Sequence, residues 1–490
     1  MASTVRQRPT SQPSANESNL SNITWASIAF LTLSFLIPIT TVQWEAVRTP
    51  RLPLVLAGLA VLYSSFRIAI LIGQGISRPF DAVFWVFTYV FIGLALLAQI
   101  AANRYPRPAS YSEATITTTA ISILVGLAAY DLGRFLGIIG HNQGSRREFP
   151  FTIDRLRTIA VATLGLLFAM FAISRFGLAT FFTGRDAVDQ ALGGRPVRVN
   201  QQFLEQQDKS LGTLTMIGAR LPVFIGLYML AAWRIHEIKR MGANVANRMA
   251  FGTFMISLIV ANLIVNNPLG SSRVSFGLIV IAFASLYFNL ERVRIFRIGV
   301  VILLFTFVYL FTALDAFRSS GAWDFTRGGT TSEVFVSSLD YGMTQQGHSA
   351  VTYVARNGHT LGRQLLGATF AWVPRRIWPD KPIPTGALVS GRFSAVSSSL
   401  WTEAWLDFGH VGVFVVLAGY GWCSGRIDTT FIATHSPALK AIVPLLAGYQ
   451  FILLRGSLIP AVGGLIPLVL ISHACFRRYV PKSDQEVLPK

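Results

Sequence analysis

The sequence predicts an all-α polytopic membrane protein with about twelve transmembrane helices and one large extracytoplasmic loop. The first observation is composition: 52% of the 490 residues are hydrophobic and only 13% are charged, whereas a soluble domain carries about 25% charged residues. The second is that apolar runs of about 20 residues recur along the chain, which is the length that a helix needs to cross a bilayer. The third is the distribution of Lys and Arg between the connections.

Hydropathy windows of about 19 residues define the spans in chain order. They are residues 22–42, 53–73, 81–101, 116–139, 158–178, 211–233, 249–266, 274–290, 298–315, 408–424, 437–454 and 457–475. The Ser-, Asn-, Pro- and Gln-rich start predicts a disordered tail, so the expected organisation is 1–20 tail, 21–315 helices one to nine, 316–407 large loop, 408–476 helices ten to twelve and 477–490 tail.

The net charge of +19 is concentrated in alternate connections. Arginine-rich segments such as 234–248 and 292–297 fall on one side if the N-terminus is cytoplasmic, and the positive-inside rule then also places the C-terminus in the cytoplasm. Because the basic stretches adjoin the predicted spans, we expect them to face anionic lipid and expect no nucleic-acid partner. On this topology residues 316–407 form a large loop on the outer face, which is too long to be a simple connection and is expected to contain short helices that lie on or dip into the membrane surface.

Three arginines map to the outer halves or outer ends of their spans: Arg175, Arg220 and Arg273. A charge inside a bilayer is costly and is often functional. Each side chain could instead reach the interface or form a structural ion pair. Their common level, beside a cationic loop, favours an anion site.

The segment FAWVPRRIWPDKPIPTG, residues 370–386, combines four prolines, two tryptophans and a cluster of cations. Proline restricts the backbone and tryptophan favours the membrane interface, so the segment is expected to be stiff and to lie at headgroup depth. Arg375, Arg376 and Lys381 are suited to binding phosphate. The alternative is an interfacial loop whose cations contact phospholipid headgroups.

Candidate proton acceptors lie on either side of this segment. Glu403 and Asp407 are four residues apart, so they share a face if the segment is helical; Glu403 could deprotonate a hydroxyl, and Asp407 could simply complement a helix dipole. His348 is the best-placed histidine for a base, although a hydrogen-bonding role is equally open. No spacing indicates a metal site or a phosphate-binding glycine loop, so we expect no metal and no cofactor.

VPRRIWPDKP resembles a segment of O-antigen polymerases of the Wzy type, also called oligosaccharide repeat-unit polymerases: Pro-Arg, a hydrophobic residue, Trp, Pro, any residue, Lys, Pro. Glu403, Phe408, Gly409 and Gly412 are similar to the family's entrance into the next span, and GSSRVSF around Arg273 is similar to another family position. The resemblance extends over roughly residues 260–425 and elsewhere concerns topology alone.

The resemblance implies a GT-C-like, metal-independent glycosyltransferase of the plasma (inner) membrane. Its donor and acceptor would both be polyprenyl-diphosphate-linked oligosaccharides, joined on the outer face with release of polyprenyl diphosphate. Arg375, Arg376 and Lys381, with Arg273 and Arg318, are then the diphosphate-binding candidates, Arg175 and Arg220 further anion contacts, and Glu403 or His348 the catalytic base. The residues leave open a ligase with a different acceptor, a transporter of lipid-linked sugar or anion, and partnership with a chain-length regulator or flippase.

Overall fold

The computed structural model describes residues 15–47, 51–140, 150–182, 210–237, 245–267, 273–311, 331–390, 397–434 and 436–478. The first part of the chain contains helices α1 (Ala15–Leu31), α2 (Ile37–Thr41), α3 (Leu52–Gln74), α4 (Pro79–Phe87), α5 (Ala95–Ala102) and α6 (Glu113–Ile139). Short π-helical turns, Thr32–Leu36 and Thr88–Leu94, join α1 to α2 and α4 to α5 without breaking the helical path.

The middle of the chain holds strand β1 (Phe151–Ile153) and helices α7 (Arg155–Phe176), α8 (Leu178–Phe182), α9 (Ser210–Glu237), α10 (Val245–Val265), α11 (Arg273–Tyr287) and α12 (Val293–Phe305). Four short helices follow, α13 (Thr331–Ser337), α14 (Met343–Asn357), α15 (Arg363–Thr369) and α16 (Thr385–Ser390). The chain then forms α17 (Leu400–Ala433), α18 (Pro437–Arg455), α19 (Leu458–Ala474) and strand β2 (Phe476–Arg478).

The predominantly helical, membrane-spanning character is confirmed in outline, because every predicted span overlaps a helix of the described chain. Eight described helices are long and apolar enough to cross a membrane, namely Leu20–Thr41, Leu52–Gln74, Pro79–Ala102, Glu113–Ile139, Arg155–Phe176, Val293–Leu310, Leu400–Ala433 and Pro437–Arg455. Three further apolar helices are shorter, Met249–Val265, Gly277–Tyr287 and Leu458–Ala474. The total of about twelve spans stays a prediction.

Two details differ from the expected architecture. Strands β1 and β2 pair antiparallel, with Thr152 opposite Arg477, so the described fold is not purely α-helical. Their pairing ties the start of α7 to the chain that follows α19. In addition, a helical stretch that was not predicted precedes the predicted span: α17 begins at Leu400, where Ser399 caps it by accepting the backbone N–H of Thr402, and its interruption at Phe408 and Gly409 lies at the predicted start of the span, residue 408.

The connections gather at two ends of the bundle. At the first, which we name the loop end, residues 331–399 contact the connections that precede α3, α6 and α19: Arg104 pairs with Glu333 at 2.9 Å, Tyr111 hydrogen bonds to Ser349 at 2.8 Å, and Gly386 donates to Ser457 at 3.0 Å. The topology predicted from the charge distribution places all of these segments on the outer side of the membrane. The compartment that the loop end faces stays a prediction.

Contacts at the opposite end join the arginine-rich connections. Arg297 donates to the carbonyl oxygens of Ile72 and Gly73 at 2.7 Å, and Lys440 pairs with Glu291 at 2.9 Å. Just inside this end, Arg134 of α6 pairs with the buried Asp81 of α4 at 2.7 Å. The buried pair joins two helices, as is usual for ionisable groups at membrane depth.

The centre of the bundle is the close approach of α6 and α17. A Cβ added at Gly133 would lie 1.8 Å from the carbonyl oxygen of Ala418, and one added at Gly421 would lie 2.1 Å from that of Tyr130. Small residues spaced by four let helix backbones pack closely in membranes. Each helix contributes one such pair to the contact, Gly133 and Gly137 from α6, Gly421 and Gly425 from α17.

Candidate functional site

The 370–386 segment is held in shape by its own cations. The ammonium group of Lys381 donates to the carbonyl oxygens of Ala371 and Val373 at 2.6 and 3.0 Å. The guanidinium of Arg375 donates to the carbonyl oxygens of Lys381 and Pro382 at 2.6 and 3.0 Å. Partial burial lowers the pKa of both side chains, and the charge of Arg375 lowers that of Lys381 further. These cations therefore fold the segment back on itself.

Arg376 has a different environment from its neighbour. It is exposed, and among the residues that the structure describes it makes no hydrogen bond or ion pair. Arg363, which is also exposed, donates to the carbonyl oxygen of Asp380 at 2.8 Å and so braces the far side of the segment. Of the two adjacent arginines, Arg375 thus shapes the loop and Arg376 faces its surroundings.

Glu403 is fully buried near the start of α17. One carboxylate oxygen accepts the backbone N–H of Leu458 at 3.0 Å, at the first residue of α19, and the other accepts the hydroxyl of Thr385. The side-chain oxygen of Gln364 lies 3.2 Å from the same hydroxyl oxygen. Glu403 therefore connects the end of the 370–386 segment to α17 and α19.

Asp407 lies one turn further along the same helix and is equally buried. Its two oxygens accept the backbone N–H groups of Gln364 and Leu365 at 3.1 and 2.9 Å, and also the hydroxyl of Thr360. A carboxylate at a helix N-terminus satisfies amide groups that the helix itself leaves unpaired. Asp407 complements a helix start, as one of the two alternatives predicted, but the helix is α15 rather than its own.

Helix α17 is interrupted directly after these carboxylates. Phe408 and Gly409 have non-helical torsions, and Gly409 has φ +61° and ψ −143°, a conformation that glycine tolerates and other residues rarely adopt. The FG sequence at this point, singled out from the resemblance, thus marks a break in the helix.

His348 lies in a separate cluster. It is fully buried in α14, its Nδ1 is 2.9 Å from the hydroxyl of Thr119, and the rings of Tyr105 and Tyr111 lie 5.6 and 5.1 Å away. Its Nε2 makes no hydrogen bond within the described part of the chain. Burial lowers the pKa of His348 to about 3. The imidazole is neutral at pH 7 and a weak base.

A narrow cleft adjoins this cluster, with space for about one water molecule. It lies between α14, α6 and the start of α17, and its wall is mostly apolar, with several hydroxyl groups and two indole rings. The lining includes Thr119, Ser122, Thr344, Ser399, Trp401, Thr402 and Trp405. Sequence reasoning did not find Thr119, Thr385 or Tyr105, because nothing in their local sequence indicates which distant residue they contact.

The remaining predicted cations have separate environments or lie outside the part of the chain that the structure describes. Arg175 is exposed in the last turn of α7. Arg220 donates to the carbonyl oxygen of Val265 at 3.2 Å and so ties α9 to the end of α10. Arg273 begins α11, but its side chain, like all of Arg318, lies outside the described part. The anion site formed by these arginines stays a prediction.

Comparisons with known proteins give no match, whether to a family model, a curated protein or a solved structure. Within the described residues, no group of three or more His, Cys, Asp or Glu side chains is arranged to hold a metal ion. Function is therefore inferred from the geometry at the loop end and from the sequence of residues 370–386.

Proposed function

We propose that the chain is a GT-C-like membrane glycosyltransferase that polymerises polyprenyl-diphosphate-linked oligosaccharide repeat units. In this proposal the loop end faces the outside of the plasma membrane and both termini are cytoplasmic. The observation that carries the proposal is Arg376: an exposed, unpaired guanidinium, among the described residues, on a segment whose shape Arg375 and Lys381 fix. A stiffly presented guanidinium at the edge of an apolar bundle suits a lipid-linked phosphate.

The proposed reaction requires charge stabilisation on the leaving group. An acceptor hydroxyl oxygen attacks the anomeric carbon of the donor, the bond from that carbon to the diphosphate oxygen breaks, and the diphosphate leaves with the electron pair. Preorganised cations stabilise the charge that develops there. Arg376 is the contact in this scheme, Arg375 and Lys381 hold the loop and add positive charge, and Arg273 and Arg318 stay candidates.

The proton of the acceptor hydroxyl needs a destination. Glu403 is the better placed of the two predicted groups, because Thr385 links its carboxylate to the segment that carries Arg376. It accepts the proton in our proposal when the acceptor hydroxyl replaces that of Thr385. His348 belongs to another cluster, and its lowered pKa makes it a weak base.

The test is polymer formation by purified protein in vesicles that contain lipid-linked repeat units. Arg376→Ala should abolish the ladder of products, and Arg376→Lys should restore it only in part because lysine lacks the bidentate fork. Arg51→Ala is the matched control, since Arg51 is also exposed and at the loop end. Full-length polymer from Arg376→Ala would exclude the proposed phosphate contact.

The same assay separates the alternatives. A single transfer to a different acceptor would identify a ligase, and flux of lipid-linked sugar without a new glycosidic bond would identify a transporter. Both outcomes would contradict polymerisation.

A further inference from the structure

We infer that the outward side of residues 361–378 is embedded in the phospholipid leaflet at the loop end. This apolar face consists of Leu361, Leu366, Phe370, Trp372 and Ile377, which are between 41% and 77% exposed. The rings of Phe370 and Trp372 are neighbours, with centroids 6.5 Å apart, and exposed apolar side chains near one another indicate a contact surface. The apolar face lies on the segment that carries Arg376, but its embedding in lipid does not require the proposed enzyme activity.

Helix α15 presents Arg363, Leu366 and Thr369 on its exposed side and buries Gln364, whose side-chain oxygen lies 3.2 Å from the hydroxyl of Thr385. A cation beside an exposed leucine suits the boundary between headgroups and acyl chains, where the charged group reaches the phosphates and the apolar group faces the lipid.

The packing of the segment places it at membrane depth. A Cβ added at Gly463 would lie 3.8 Å from the Cβ of Ala371, and one added at Gly367 would lie 3.1 Å from the side chain of Ile459. Gly463 is about 7.5 Å along the axis from Leu458, the first residue of α19. Residues 367–371 therefore lie beside the first turns of an apolar helix rather than above its start.

Leu361 adds an independent observation. Its backbone has φ +49°, which is strained for a leucine, and its N–H donates to the carbonyl oxygen of Asp407 at 3.2 Å. The fold thus holds a strained leucine whose side chain is 77% exposed. Strain of this kind persists where surrounding contacts compensate for it. Here the hydrogen bond to Asp407 holds the backbone, and the fold thereby presents the leucine side chain outward.

The charges around the apolar face complement phospholipid headgroups. Arg356, Arg363 and Arg376 are exposed on or beside this segment, against one exposed acid, Asp380. Cations bordering an apolar surface are typical of segments that lie in the interface and contact lipid phosphates. The occupant that this combination favours is phospholipid, rather than a second protein surface.

The experiment uses full-length protein in nanodiscs, with Cys423→Ser removing the exposed native cysteine. A fluorophore is attached through Ile377→Cys or, as a second position, Trp372→Cys. The control is Ala109→Cys, which lies in an exposed connection at the same end. Phospholipid carrying a nitroxide near the top of the acyl chain should quench the label at 377 several-fold more than the label at 109, and aqueous iodide should show the reverse order.

Equal quenching by the nitroxide lipid at 377 and 109 would overturn the inference. So would protection of 377 from both quenchers with a doubled particle mass, which would identify a second copy of the chain. If added polyprenyl diphosphate lowered the nitroxide quenching at 377, the substrate's isoprenoid chain would occupy this face instead. The quenching measurements do not depend on whether Arg376→Ala abolishes polymer formation. The proposal of lipid embedding can therefore be refuted independently of the proposed enzyme activity.

Discussion

The carboxylate of Asp407 accepts the backbone N–H of Leu365 at 2.9 Å, so a residue of α17 caps the start of α15. The two residues are 42 positions apart in the sequence. Glu403 makes the corresponding contact with Leu458 at the start of α19. Two carboxylates on adjacent turns thus fix the starts of two other helices and, through them, the frame of the candidate site.

We expect Asp407→Ala to destabilise the protein by about 1–3 kcal/mol, because it leaves buried N–H groups at the start of α15 without an acceptor. Thermal unfolding in detergent measures this loss. Asp380→Ala is the control, since Asp380 is an exposed carboxylate of the same segment. Equal melting temperatures for Asp407→Ala and wild type would show that the cap contributes nothing.

The contact between α6 and α17 allows a comparison of two glycines. Gly133→Ala should cost about 1–3 kcal/mol or more, because the added methyl group meets the backbone of Ala418. Gly419→Ala, in α17, should be tolerated or should stabilise by about 0.5–1 kcal/mol, because no atom lies within 4 Å of its added Cβ. Thermal unfolding of both variants in one detergent checks the difference, and equal effects would contradict the close approach.

The buried imidazole of His348 predicts a pH dependence of stability. The unfolded chain binds the proton near pH 6.5, whereas burial lowers the folded pKa to about 3. Between these values the unfolded state binds more protons, so stability falls as the pH is lowered through the window and is recovered above 6.5.

The slope from this one group is about 1.4 kcal/mol per pH unit once the pH is well below 6.5. Unfolding measured between pH 7 and pH 5 should show a smaller loss of stability in His348→Gln than in wild type. An identical pH dependence in the two proteins would mean that His348 is accessible to protons in the folded state.

The apolar helices could be predicted because an apolar run of membrane length has few structural outcomes; the number of them that span the membrane stays a prediction. The positions of the connections followed, since alternate turns of such a bundle must gather at opposite ends. Hydropathy did not predict that α17 starts at Leu400, because the apolar run begins only at residue 408. The turns before it begin at the Ser399 cap. The pairing of Thr152 with Arg477 joins segments far apart in sequence and has no local signal.

At the candidate site, sequence identified the cations but not their separate environments. Arg375 and Arg376 are adjacent and chemically identical, and only the carbonyl oxygens of Lys381 and Pro382 distinguish them. Glu403 and Asp407 were recognised as a pair on one face, yet their partners come from distant helix starts. The identity of a buried partner depends on the packing of several helices, which residue type and spacing along one segment do not determine.

The interruption at Gly409 divides α17 into two rigid parts. Glu403 and Asp407 precede it, whereas Asp428, which accepts the N–H groups of Phe80 and Asp81 at 3.1 and 3.0 Å, follows it. Gly409 thus separates the part of α17 that sets the starts of α15 and α19 from the part that anchors the start of α4.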